Sequence, residues 1–226
     1  MPNADKRLEA LKAKFKAAEY YDSSDERKLE LAVEVMATRE AVNAERNSPK
    51  TLEKPVNAET LQQKVEKWKN CKTFTDFVKA QPDKVQAGAS AGHGGQLGDN
   101  FKQYLINVDV LDKTVPAEYM PSAKVRLEAI QNQIQKSGDD SPETRARRYA
   151  ELIATRAAVN AVRKKSGSLE AQIDPAELDK QRETLLKSQT FKNFVNDESQ
   201  AGALRAAALE GHGGALEDKF REDKRM

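Results

Sequence analysis

"MATREAVNAERN" at residues 36–47 and "IATRAAVNAVRK" at residues 153–164 are one helical sentence written twice. Pairing Arg39 with Arg156 sets an offset of 117 residues. The same offset pairs "TFTDFV", from Thr73, with "TFKNFV", from Thr190. An offset of 119 pairs "RLEAL", from Arg7, with "RLEAI", from Arg126, and His93 with His212. Self-similarity this extensive reads as a tandem duplication of nearly the whole chain. With two units far longer than a solenoid repeat, it is not a repeat array.

Each copy reads as about six helices. The first begins near Asn3 and Ser122 and lines Leu8, Leu11 and Phe15 on one stripe in the first copy. The longest helix is expected to open on a capping box at Ser23 and Glu26, and on Ser141-Pro142 in the second copy. The next opens at Asn57 and at Asp174-Pro175. Phe74 and Phe77, matched by Phe191 and Phe194, mark a short helix. Leu97 and Phe101, matched by Leu216 and Phe220, mark the last. The expected fold is therefore all-α: two tandem homologous helical domains, residues 1–105 and 122–226, joined by a linker over residues 106–121. The linker contains "INVDV", which alternates like a short strand but has no evident partner. Duplicated domains of this kind allow pseudo-twofold packing of the copies or a homodimer.

Composition narrows the function. The 226 residues carry 38 basic and 36 acidic side chains, a net charge of +2, with 33% charged and 6% aromatic residues. Near-balanced charge with periodic apolar residues indicates a salt-laced helical surface. It gives no bulk attraction to nucleic acid or to acidic lipid. No apolar run approaches the ~18 residues of a membrane helix, and the N-terminus lacks the apolar core of a signal peptide. The single cysteine, Cys71, excludes an intrachain disulfide. These traits point to the cytoplasm, or to delivery into a host cytoplasm, and to no membrane partner.

Two polar sets recur in both copies. The first is the turn Gly92-His93-Gly94-Gly95 and its match Gly211-His212-Gly213-Gly214, which together contain both histidines of the chain. Glycines between two helices suit a tight reversal needing positive φ. The turn lacks the Lys-Ser/Thr of a phosphate loop and the strand of a dinucleotide site, and one histidine is too few ligands for a metal. The second set is Arg39, Asn43 and Arg46, matched by Arg156, Asn160 and Arg163. Spaced i, i+4 and i+7, each trio shares a helix face. It either braces a neighbouring loop or carboxylate, such as Asp99 or Asp218, or offers guanidinium forks to a partner. No repeated Ser or Cys nucleophile, carboxylate pair or metal set is evident, so the reading is of a non-enzyme without cofactors. The expected function is a helical binding or adaptor protein presenting duplicated surfaces to a protein partner. The second reading is a nucleic-acid or phosphate binder using the Arg39 and Arg156 faces with the glycine turns.

Overall fold

The computed structural model describes residues 3–17, 19–43, 55–91, 94–137, 141–166 and 169–223, with the side chains of 19, 42, 43 and 160–166 outside that description. Thirteen α-helices are described, and no strand among the described residues. The chain divides into two compact units, residues 1–104 and 105–226.

In the first unit, α1 (Ala4–Lys16) starts where Asn3 accepts a hydrogen bond from the Lys6 amide. Its buried stripe is Ala4, Leu8, Leu11 and Phe15. A short turn, α2 (Glu19–Asp22), leads to α3 (Asp25–Asn43). The expected cap at Ser23 moves by one residue. The Ser23 hydroxyl donates to the Tyr20 carbonyl and closes α2, so Ser24 becomes the cap and accepts from the Arg27 amide. α3 is the central helix: Leu31, Ala32, Val33, Val35, Met36, Ala37 and Thr38 are buried in near succession. A helix covered on most sides needs no amphipathic pattern. α1 and α4 (Ala58–Lys69) pack along it, and α4 opens on Asn57, which accepts from the Thr60 amide. α5 (Lys72–Ala80), α6 (Pro82–Ser90) and α7 (Gly95–Asn107), whose last three residues fall in the second unit, complete the series. The core is aromatic: Phe101 meets Trp68, Phe74 and Phe77 at centroid distances of 5.7, 5.1 and 5.6 Å. Such tilted and edge-on contacts add to simple area burial.

The second unit runs through α8 (Ala123–Lys136), α9 (Pro142–Ser166), α10 (Pro175–Lys187), α11 (Gln189–Asn196), α12 (Ala201–Leu209) and α13 (Gly214–Asp223). Ser122 caps α8 by accepting from Val125, Ser141 caps α9 by accepting from Thr144, and Asp174 caps α10 by accepting from Ala176 and Glu177. α9 is the central helix here, packed by α8, α10 and α11. Phe220 stacks against Phe191 and Phe194 at 5.3 and 5.2 Å.

Residues 106–121, expected as a linker, are built into the second unit. Leu111, Val115 and Met120 are buried. "INVDV" forms no strand. Its carbonyls turn instead to one side chain: Arg126 donates to Ile106 at 3.1 Å, to Asp109 at 2.8 Å and to Val108. A guanidinium with five donors can satisfy backbone that a sheet would otherwise satisfy.

Candidate functional site

The Gly-rich turn of the second unit is a helix reversal of unusual hand. After α12, Gly211, His212 and Gly213 have φ of +55°, +54° and +75°. Three successive residues in this region turn the chain the left-handed way before α13 starts at Gly214. The Gly214 amide donates to the Gly211 carbonyl, and a carbonyl oxygen has a second lone pair to offer. Arg156 takes it up. Its Nη1 donates to the Gly211 carbonyl at 3.1 Å and the His212 carbonyl at 3.3 Å, and its Nε donates to Glu217 at 3.0 Å. Glu217 is buried and also accepts from Arg221 at 2.5 Å. The carboxylate that Arg156 meets is therefore Glu217, not the neighbouring Asp218. Glu217 was missed because Gly98 stands at its paired position in the first copy, so it fails a search for repeated polar residues.

The His212 side chain faces α8. Its Nε2 lies 3.7 Å from the Glu128 carboxylate on α8, with its side chain partly exposed. It is the one described non-glycine residue with positive φ.

In the first unit Gly94 has φ of +72°. A Cβ there would overlap Val35 Cγ1 and lie 3.3 Å from Arg39 Cδ; one at Gly95 would lie 3.4 Å from Arg39 Nη2. In the second unit a Cβ at Gly213 would lie 3.3 Å from Leu152 Cδ2, and one at Gly214 would lie 3.1 Å from Arg156 Nη2. Each turn is thus seated on a long central helix, with an arginine folded over its last glycine. Gly92, His93 and Arg46 lie outside the described residues, as do the side chains of Asn43, Asn160 and Arg163.

A second polar cluster is more deeply buried than Arg39, Arg156 or His212. Arg126 and Glu151 are fully buried, with Nη2 and Oε1 3.2 Å apart, and Arg182 donates to the other Glu151 oxygen at 3.1 Å. Arg182 also donates to the Leu111 carbonyl at 2.5 Å, while the Leu111 amide donates to Glu151 at 3.4 Å. Burial pushes the Arg126 guanidinium below its ordinary value, and the Glu151 carboxylate opposes that shift. Arginine stays charged even so, which makes Glu151 indispensable to it. The sequence contained the clue: Arg7 pairs with Arg126, and Glu34 with Glu151, at the two recurring offsets.

At those paired positions in the first unit, Arg7 is hydrogen-bonded to Glu34, and its Nε donates to Thr38 at 3.0 Å. Elsewhere in that unit Glu40, buried on α3, accepts from Trp68 at 2.8 Å, Lys67 at 2.6 Å and Lys64 at 3.1 Å. Cys71 is buried at the start of α5 without a side-chain cap bond, whereas Ser188 caps α11 through the Phe191 amide. Among the described residues, no group of three or more His, Cys, Asp or Glu is placed to hold a metal ion, and no helix is long and apolar enough to cross a membrane. No family model matches the chain, and no curated protein or solved structure is similar to it.

Proposed function

We propose that the chain is a non-enzymatic binding or adaptor protein, built by duplication, whose two units offer related helical surfaces to a protein partner. The observation that carries this reading is the matched placement of the turns. Gly94 and Gly213 share positive φ, rest against Val35 and Leu152 at the paired positions, and precede glycines covered by Arg39 and Arg156. Two further correspondences support duplication. The isolated bridges Asn3–Pro55 and Ser122–Gln172 join paired positions. The packing partners also correspond: α1, α4 and α5 on α3, and α8, α10 and α11 on α9.

Arg156 gives its donors to turn carbonyls and Glu217, which favours the structural role for this face over phosphate recognition. The test is stoichiometric co-elution. Full-length protein passed through a lysate of its native host, with and without nuclease, should retain a protein partner that survives nuclease and moderate salt. Recovery of nucleic acid alone, lost on nuclease treatment, would instead establish the phosphate-binding reading.

A further inference from the structure

Residues 108–116 lie on the second unit outside any helix. Side chains of three helices hold them. Arg126 donates to the carbonyls of Val108 and Asp109, and Arg182 to that of Leu111. The Leu111 amide donates in turn to Glu151 at 3.4 Å. Two ion pairs stand at the edges, Asp109 with Arg148 at 3.5 Å and Lys113 with Asp179 at 3.6 Å. Within the segment the Val115 amide meets the Asp112 carbonyl, which closes a local turn. A segment held in this way can leave as a unit, because letting go of side chains breaks no helical turn.

Attachment leaves two polar atoms unserved. Arg126 Nε and the Thr155 hydroxyl are buried with no hydrogen-bond partner among the described residues. One is a donor and the other can accept. At the positions matched to them by the recurring offsets, Arg7 Nε donates to the Thr38 hydroxyl at 3.0 Å. An arginine and a threonine so placed on neighbouring helices can therefore meet. Arg126 does not meet Thr155 while its guanidinium is turned to the carbonyls of the segment.

We propose that residues 108–116 are a detachable strap. In the detached state the helices of the second unit stay folded. Arg126 withdraws from Val108 and Asp109, keeps Glu151 and sets its Nε on the Thr155 hydroxyl. That bond satisfies both orphaned atoms and so offsets part of what detachment loses. The attached strap is the dominant state and the detached one the minor population. Detachment uncovers Glu151, Arg182 and the apolar faces of Leu111 and Val115, all of which attachment buries. The device belongs to the second unit alone and requires no partner protein.

The test is hydrogen exchange of the full-length chain, followed residue by residue by nuclear magnetic resonance. The Leu111 amide loses Glu151 on detachment and reports release. The amides of Leu152 and Ile153, in the middle of α9, report unfolding of the helices. In the parent protein Leu111 should exchange at least about tenfold faster than Leu152 and Ile153, and respond weakly to low urea, since detachment exposes little surface. The ratio of the two rates compares the detached state with the unfolded one. Thr155→Val removes the hydroxyl that only the detached state uses, and should lower this ratio about tenfold. Thr155→Ser keeps a hydroxyl and should leave the ratio unchanged. Leu111 exchanging in step with Leu152 and Ile153 in the parent protein overturns the proposal without any variant. A ratio that Thr155→Val leaves unchanged, or that both substitutions lower alike, overturns it as well.

Discussion

At the scale of single residues, the turns divide labour between glycine and arginine. Gly94 combines positive φ with direct contact to Val35, so it faces both backbone strain and overlap. Gly213 has positive φ but meets Leu152 at 3.3 Å, where a small shift suffices. Gly94→Ala should therefore destabilise the protein by about 2–3 kcal/mol and Gly213→Ala by about 1 kcal/mol, measured by urea unfolding. His212→Asn should stay within about 0.5 kcal/mol, since Asn tolerates the left-handed region. Equal costs at the two glycines would contradict the contact with Val35. Arg156→Ala removes its bonds to two turn carbonyls and to a buried carboxylate, and a loss of about 1–3 kcal/mol is expected; an unchanged melting temperature would free Arg156 for a partner role. Tyr20 gives a pH prediction. Its ring lies 4.9 Å from Phe15, and burial, then Asp83 and Tyr21, push its phenol from 10.0 up to about 12. Between those values the folded chain keeps a proton that the unfolded chain has released. The Tyr20 contribution to stability should therefore be level below pH 10 and fall as pH rises towards 12. Burial also raises the Tyr104 phenol, so ultraviolet titration should show a late tyrosine step that shrinks in Tyr20→Phe; an undiminished step in that variant would contradict the assignment.

Helices were legible wherever local chemistry decided them. Asn3, Asn57, Ser122, Ser141 and Asp174 all cap the helices they were expected to open. Ser23 misled because its hydroxyl serves the turn behind it, and spacing alone does not tell which of two adjacent serines faces forward. The segment 106–121 misled for a different reason. Two prolines and an absent helical period describe a segment without regular structure, not one without a core. Its burial depends on Arg126, Glu151 and Arg182, which come from three separate helices. At this scale the prediction concerns that cluster. Glu151→Ala leaves the fully buried Arg126 without its carboxylate and Arg182 with Asp179 alone, and should cost about 3–5 kcal/mol. Replacing Arg126, Glu151 and Arg182 together by Met, Leu and Met should recover much of the loss in chemical denaturation. A Glu151→Ala protein as stable as the parent would mean that the cluster does not hold the segment.

For the whole molecule, the central claim is that two units each carry a core and that residues 105–121 belong to the second. Composition sets residues 106–121 apart as a linker, whereas Leu111, Val115 and Met120 are buried and the chain divides after residue 104. The two boundaries make different demands on a truncated chain. A fragment of residues 105–226 keeps the acceptors of Arg126; one of residues 121–226 exposes Arg126 and Glu151 together with the apolar surface that the missing segment covered. The most direct measurement is a thermal melt of these two fragments, followed by circular dichroism under identical conditions. The account predicts a cooperative transition for 105–226 and, for 121–226, a midpoint lower by on the order of 10 °C or a loss of cooperativity. Two superimposable melts would contradict it and return residues 106–121 to the role of a linker.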